Sequence, residues 1–184
     1  SERVFENTAF CLLQTEIPME TVSEVCRIAK EHGAQTILKP VACGELPVDL
    51  LRNVDIIVPN RAEINAICPA ADDLESQAAQ LMNAGVGTVI VTLGAEGCFV
   101  KTAREAGYFP AVPSDMVDAS GAADAFISPL ASYLLEERPL HTAIRIASYA
   151  AAFAIKREGV MPSLVDKNTL ESFGTQREPA LLRI

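Results

Sequence analysis

Short apolar runs alternate with amphipathic segments over the first half of the chain, and this alternation is the feature that most limits its possible folds. The runs at 9–14 (AFCLLQ) and 87–94 (GTVIVTLG) have the length and apolar content of strands. The segments at 18–33 and 72–85 carry apolar residues at helical spacing and end at glycines. Strands that alternate with helices form βαβ units, so we predict an α/β fold with a mostly parallel sheet flanked by helices.

The pattern changes after Gly97. The runs GCFVKT and EAGYFPAV are short and separated by a polar turn, which predicts a β-hairpin. Helices are predicted at 121–136 and 139–156, followed by a short helix at 166–173 and a tail. The sequence contains no internal repeat, linker or low-complexity segment, so we interpret residues 1–184 as one domain.

Composition argues against several classes of function. The formal net charge is −9, so a face that binds nucleic acid is not expected. No apolar run reaches the length of a membrane span, and the first residues lack the pattern of a signal peptide. The five cysteines are scattered and no two have CxxC spacing. We therefore expect a cytoplasmic protein with reduced thiols and no membrane partner.

Asn60 and Glu63 stand three residues apart at the end of the run VDIIVP. The spacing is that of a capping box, in which two side chains cap the amino end of a helix. It also suits a polar pair at the carboxyl end of a parallel strand, where α/β sheets bind ligands. From the residues, both interpretations stay open.

Gly94 ends the run at 87–94, which we interpret as buried, and Gly97 follows it three residues later. Two glycines at this point predict either a plain turn or a place where the backbone comes close to a flat or phosphorylated ligand. The motif does not decide between these two by itself.

The stretch 117–126 (VDASGAADAF) sets small residues beside one carboxylate, Asp124. One interpretation is a helix amino terminus capped by Asp118 or Ser120. The other is a tight turn whose backbone amides face an anion at a helix N-terminus, with the acid held beside them. A further glycine-containing loop, KREGVMPS at 156–163, follows the alanine-rich helix and resembles an ordinary helix C-terminus.

Together and in this order, the motifs resemble those of the ribokinase/PfkB family of small-molecule kinases. The family carries N-x-x-E, then T-L-G-x-x-G, then D-T-x-G-A-G-D-x-F. Here these are the residues from Asn60 to Glu63, from Thr92 to Gly97, and from Asp118 to Phe126. The resemblance runs over nearly the whole chain. It implies a three-layer ribokinase-like fold and ATP-dependent phosphorylation of a hydroxyl group of a sugar or nucleoside.

The resemblance also implies a role for each matching residue. Asp124 would be the catalytic base that takes the proton from the acceptor hydroxyl. Asn60 and Glu63 would hold Mg²⁺ through water. The amides of an anion hole would come from Gly121, Ala122 and Ala123. The nucleotide, ATP, would be lined by Asn60, Thr92, Leu93, Gly94, Ala95, Glu96, Gly97 and Ser148.

A monovalent-cation loop is the last site that the resemblance implies. Its members would be Asp118, Ser120, Ala154, Arg157, Gly159 and Ser163. The cation that the resemblance suggests there is K⁺.

Three positions depart from the family pattern. Ala123 replaces the glycine before the catalytic acid, Ala119 replaces a threonine, and Pro129 lies inside the predicted helix at 121–136, where it should produce a kink. An alanine at 123 is strained if the turn needs a positive φ angle and tolerable if its backbone is helical. The alternative function is therefore a catalytically impaired ribokinase-like ligand-binding or regulatory domain.

Members of this family are longer than the chain and begin with a segment that carries a Gly-Gly motif and a lid. The resemblance implies that the chain is the C-terminal, nucleotide-binding portion of a kinase and is inactive by itself. It also implies a homodimer formed through the lid. The acceptor, a sugar or a nucleoside, cannot be identified from these residues.

Overall fold

A computed structural model describes residues 2–182 of the chain, which form two compact units. The first unit ends at Phe109 and the second begins at Pro110. In the part of the chain that the structure describes, no helix is long and apolar enough to cross a bilayer.

The first unit contains a six-stranded sheet whose strands follow one another in space as they do in sequence. Strands β1 to β4 pair in parallel, and the last two pairs are antiparallel. The predicted parallel sheet and the predicted hairpin are therefore both confirmed. The strands are β1 (Phe10–Gln14), β2 (Gln35–Lys39), β3 (Ile56–Ile57), β4 (Thr88–Thr92), β5 (Cys98–Lys101) and β6 (Ala106–Phe109).

Four helices connect these strands and bury their apolar faces in the core of the first unit. They are α1 (Met19–Glu31), α2 (Val48–Leu51), α3 (Arg61–Ile67) and α4 (Leu74–Asn83). Val89, Ile90 and Val91 of β4 are completely buried although successive side chains of a strand point to opposite faces. Each such side chain contributes roughly 1.5–3 kcal/mol to folding. The β-branched run was therefore a reliable sign of a central strand.

The second unit consists of helices. They are α5 (Ala122–Leu135), α6 (Leu140–Ala154), α7 (Val160–Ser163) and α8 (Lys167–Arg177). Ala143, Ala147 and Ala150 of α6 are buried together with Leu130 of α5, and their small side chains let these two helices pack closely. The two predicted long helices are confirmed to within one or two residues.

Helix α8 continues beyond its predicted end at residue 173. Asp166 caps its start by accepting a hydrogen bond from the Thr169 amide at 3.0 Å. Near its end, the Arg177 guanidinium lies over the ring of Phe173, 3.8 Å from its centroid. The apolar residues of this segment show little helical periodicity, so the sequence did not predict its last turn. A contact between a cation and an aromatic ring does not depend on an apolar stripe.

All five cysteines are free thiols. Burial raises the pKa of Cys26 and of Cys98 to about 12, so these two thiols stay protonated at neutral pH. Their role is to fill the core of the first unit, as small apolar side chains do.

Pro129 lies in the middle of α5, which runs on past it to Leu135. Proline has no N–H to donate to the carbonyl of Ala125, and its ring crowds the preceding turn. We expect Pro129→Ala to raise the free energy of unfolding by about 1–3 kcal/mol, measured by urea denaturation.

The matched control is Pro139→Ala, because Pro139 stands at the N-cap of α6, where no backbone N–H is needed. That change should alter the free energy of unfolding by less than about 1 kcal/mol. A loss of stability in Pro129→Ala would mean that the packing of the ring outweighs the missing hydrogen bond.

Candidate functional site

The carboxyl ends of β3 and β4 lie side by side and bring two of the predicted motifs together. Asn60 follows β3 and forms an isolated parallel bridge with Thr92, the last residue of β4. The Thr92 amide donates to the carbonyl of Pro59 at 2.9 Å. Because the strands are parallel, N-x-x-E and T-L-G-x-x-G share one edge of the sheet, which is where ligands bind in open α/β folds.

Asn60 and Glu63 form a complete capping box at the start of α3. The Glu63 amide donates to Asn60 Oδ1 at 2.8 Å, and the Asn60 amide donates to Glu63 Oε2 at 2.6 Å. The structural interpretation of this pair is thus correct. It leaves the functional interpretation in place, because Asn60 Oδ1 and the other carboxylate oxygen of Glu63, Oε1, can still accept a bond from a water molecule, while Glu63 Oε2 already accepts from the Asn60 amide and the Lys39 ammonium.

Lys39 is a member of this edge that the sequence analysis missed. It is the last residue of β2, its side chain is buried, and its ammonium donates to Glu63 Oε2 and, at 3.1 Å, to the carbonyl of Pro40. The signal in the sequence was a lysine that directly follows the apolar residues Ile37 and Leu38 at the end of a strand (QTILK). A lysine at a strand end usually reaches solvent, so the signal was weak.

The segment from Thr92 to Gly97 folds into a short turn between β4 and β5. The Leu93 amide donates to the carbonyl of Gly97 at 2.8 Å, and Gly94 and Gly97 have φ angles of 60° and 97°. Positive φ angles explain why both positions are glycine. A side chain at Gly94 would meet no atom within 4 Å, so this backbone is open to an approaching group.

One ion pair connects the two motifs. The Arg61 guanidinium lies 3.2 Å from a carboxylate oxygen of Glu96, and both side chains are exposed. A pair of this kind contributes little to stability.

Magnesium would fit this edge through its water shell. The Asn60 side-chain oxygen and the Glu63 carboxylate already hold backbone N–H groups and the Lys39 ammonium. Within residues 2–182, no group of three or more histidine, cysteine or acidic side chains could hold a metal ion. The oxygens of Asn60 and Glu63 therefore suit a hydrated ion that is already coordinated by phosphate oxygens.

In the second unit, Gly121 opens helix α5. Its φ angle is 76°, in the left-handed region, and no side chain caps the helix. The interpretation of Asp118 or Ser120 as the cap is therefore wrong. Asp118 instead accepts a hydrogen bond from the Ser120 amide at 2.8 Å, inside the turn that precedes the helix. The Ala122 amide donates to the carbonyl of Ala119 at 3.2 Å, and the other amides of the first turn have no side-chain cap, as at an anion-binding helix N-terminus.

Asp118 also ties this turn to the loop after α6. Its second carboxylate oxygen accepts from the Gly159 amide at 2.9 Å, and the amides of Val117 and Asp118 share the carbonyl of Ile155. The Gly159 and Ser120 amides lower the pKa of the Asp118 carboxyl below its ordinary value. A carboxyl group whose pKa is lowered in the folded state stabilises that state at pH values above the ordinary carboxyl range. This stabilisation is lost as the pH falls through the lowered pKa, so the connection is intact at neutral pH.

Ala123 lies in the first turn of α5 and is not among the non-glycine residues with a positive φ angle. Its backbone is helical, so its methyl group causes no backbone strain there. Gly121 is different, since a Cβ atom added to it would lie 3.0 Å from Val160 Cγ1. Of these two neighbours, Gly121 is thus the position that requires glycine.

Asp124 is exposed in the first turn of α5, where the helix dipole favours a negative charge. It borders an open cavity of about 180 Å³ in the second unit. The walls of the cavity are mainly apolar, with a few hydroxyl groups and one lysine. They are formed by Asp124, Ala125, Ser128, Pro129, Ser132, Tyr133, Ala150, Leu164, Val165, Lys167 and Leu170.

Some residues of the predicted cation loop are connected by hydrogen bonds in the structure, and others form hydrogen bonds within their own turns. Asp118, Ser120 and Gly159 are connected by the hydrogen bonds already described. The Ala154 carbonyl accepts from the Arg157 amide at 3.1 Å, and the buried Ser163 hydroxyl donates to the carbonyl of Val160 at 2.6 Å.

Ser148, predicted to flank the nucleotide, lies on α6. Its hydroxyl donates to the carbonyl of Ile144 at 2.9 Å, within the same helix. This bond is typical of a serine inside a helix and assigns the residue no further role.

Comparison with known proteins gives a consistent result. Residues 2–167 match the family model described as pfkB family carbohydrate kinase. The chain is 35% identical over 166 residues to a bifunctional ribokinase/ribose-5-phosphate isomerase A from Fructilactobacillus sanfranciscensis, covering 86% of this chain and 30% of that protein. It is 31% identical over 170 residues to a deoxyribokinase from Salmonella typhi, covering 88% of this chain and 56% of that protein.

A solved structure agrees with these relatives. Arabidopsis thaliana ribokinase, determined with ribose and ATP, superimposes with a TM-score of 0.87 at 26% identity, over 94% of this chain and 58% of that one. The chain thus spans little more than half of these relatives, or less. The ribokinase-like fold is confirmed, and the chain belongs to the pfkB family of carbohydrate kinases.

Proposed function

We propose that this chain is the nucleotide-binding and catalytic portion of an ATP-dependent kinase that phosphorylates a hydroxyl group of a pentose. The observation that carries the proposal is the start of α5, where a left-handed glycine leaves the helix without a side-chain cap and is followed by Asp124 in the first turn. That arrangement suits an anion together with a base. Relatives named ribokinase and deoxyribokinase favour a pentose over a nucleoside as the acceptor.

In the first unit, the chain would hold the nucleotide. The backbone of Thr92, Gly94 and Gly97 would line it, and Asn60 and Glu63 would bind Mg²⁺ through water molecules. Magnesium bound with the nucleotide neutralises negative charge on the phosphates. The residues themselves contribute position and hydrogen bonds, which is most of what phosphoryl transfer asks of a protein.

In the second unit, the chain would act on the reacting groups. The amides of Gly121, Ala122 and Ala123 would donate to the transferring phosphoryl group, and Asp124 would accept the proton of the acceptor hydroxyl. The loop held by Asp118 and Gly159 would bind K⁺ and keep this turn in place. We also propose that the chain without the rest of its kinase has no turnover, because a lid is needed to exclude water.

The alternative function, an impaired ligand-binding domain, was suggested by three residues, Ala119, Ala123 and Pro129. The structure weakens two of these three grounds. The helical backbone of Ala123 removes the argument from strain, and α5 continues through Pro129. Asp124 is present in the motif, which favours an enzyme.

A phosphotransfer assay on the full-length protein tests the proposal. With Mg²⁺ and ATP, we expect kcat/KM for ribose or 2-deoxyribose to exceed that for hexoses and nucleosides by at least about tenfold, the discrimination that pocket contacts provide. ADP release is measured over a panel of these acceptors, with a no-acceptor reaction as the control. Preference for a nucleoside would contradict the choice of a pentose, and no turnover with any acceptor would favour the impaired domain.

A further inference from the structure

Lys39 places a buried positive charge at the edge of the sheet where the nucleotide is proposed to bind. Its residue exposure is 7%, and within the described residues it is the one charged residue in the buried core. Lysine is almost never this buried unless it is paired. Its partner, Glu63, has a side chain that is 12% exposed and lies 24 positions further along the chain.

Stability does not explain this pair. Taking two charges out of water costs more than their attraction usually returns, so an apolar pair of the same volume is often as stable or more stable. Ile37 and Leu38, the two residues of β2 before Lys39, are apolar and buried, and a leucine at position 39 would continue that pattern. The exposed pair Lys30–Asp55 of the same unit carries no such cost, since both side chains reach solvent.

The position of the pair points to the phosphates. Lys39 ends β2, Asn60 follows β3 and Thr92 ends β4, so the pair lies in the same row of strand ends as the nucleotide motifs. Glu63 Oε2 accepts from both the Lys39 ammonium and the Asn60 amide. A carboxylate without this ammonium would face the phosphates with an unbalanced negative charge, and repulsion at short range in a poorly solvated site is strong.

We propose that Lys39 balances the charge of Glu63 and thereby sets how strongly nucleotide binding at this edge depends on magnesium. The inference rests on the proposed nucleotide site. With the pair intact, the edge is close to neutral and accepts a nucleoside triphosphate with or without its metal ion. Without the ammonium, the nucleotide binds more weakly unless Mg²⁺ neutralises the carboxylate and the phosphates together. Lys39 is therefore a positioning residue that acts through Glu63.

Isothermal titration of the full-length protein with a non-hydrolysable ATP analogue tests this, once with Mg²⁺ and once with EDTA. In EDTA, Lys39→Met should weaken binding by about threefold to tenfold, and Glu63→Gln should strengthen it by a similar factor. The double variant restores neutrality and should bind within about twofold of the unchanged protein. The gain in affinity on adding Mg²⁺ should be larger in Lys39→Met and smaller in Glu63→Gln.

Lys30→Met, which breaks the exposed pair, is the matched control and should leave both affinities unchanged. Far-UV circular dichroism and thermal unfolding establish that each variant is folded. Should Lys39→Met fail to fold, Glu63→Gln decides, because glutamine can keep the hydrogen bond to the Asn60 amide and the sign of its effect is predicted.

Equal losses in both single variants, or no change in either, would overturn the role of Lys39 while leaving the nucleotide site standing. An unchanged protein that binds no nucleotide even with Mg²⁺ would overturn the proposed function and this inference with it.

Discussion

Asp124→Asn in the full-length kinase should lower turnover by about two to four powers of ten, the range for losing a positioned general base. Asparagine has nearly the same shape and keeps the first turn of α5, but it does not accept the proton of the acceptor hydroxyl. Nucleotide affinity should change by less than about threefold, because the carboxylate would face the acceptor. Steady-state ADP release and equilibrium titration with ATP measure the two quantities separately.

Glu20→Gln is the matched control for this change. Glu20 is also an acid in the first turn of a helix, here α1, so both variants lose the same interaction with a helix dipole, worth about 0.3–1 kcal/mol. The control should therefore reproduce any loss of stability without the loss of turnover. Full activity in Asp124→Asn would remove this residue from the mechanism and leave the family membership as a statement about fold.

The sheet could be predicted from the sequence because its central strands are apolar runs that are buried on both faces, as β4 is. The β-branched run Thr88–Thr92 indicates a buried strand without reference to the rest of the chain. The polar turn between β5 and β6 indicates a hairpin in the same local way. Helix ends were harder to predict. In the last turn of α8 the Arg177 guanidinium lies over the ring of Phe173, and such contacts leave no periodic pattern in the chain.

The start of α5 gives the clearest case of a local rule that failed. Asp118 and Ser120 are good capping residues, and capping preference by itself does not place glycine ahead of them. The structure uses Gly121 because the chain turns there through the left-handed region, and Asp118 is engaged with Gly159, 41 residues away. Whether Ala123 is strained depended on which residue of the turn has a positive φ angle, because an alanine with helical φ is unstrained and an alanine with positive φ is strained.

The order of the motifs predicted which residues lie together in the first unit, but it did not predict that Lys39 is one of them. A capping box and a glycine turn are recognisable within a few residues, and parallel strands carry them to one edge. The ion pair between Lys39 and Glu63 joins the end of β2 to the first turn of α3, and Lys39 belongs to no motif. Charge balance at a site is a tertiary property, so it becomes visible only once the register of the sheet is known.

Gly121→Ala should produce the second large effect, a fall in turnover of about 10²–10³-fold. The residue has a φ angle of 76°, and an added Cβ atom would lie 3.0 Å from Val160 Cγ1. The turn must therefore shift, and the proposed anion-hole amides shift with it. Losing one such donor costs about 2.7–4 kcal/mol of transition-state stabilisation. Measurement of kcat at saturating ATP and acceptor gives the effect.

Two controls separate this effect from a general loss of stability. Gly33→Ala places the same methyl group at a φ angle of 79° with no atom within 4 Å, so it should cost about 1–2 kcal/mol of stability without slowing the reaction. Ala123→Gly should leave the rate within about twofold and cost about 0.5–1 kcal/mol, because that position is already helical. A normal kcat in Gly121→Ala would mean that the turn moves without consequence, and the anion hole would then have to be sought in other amides than those of residues 121–123.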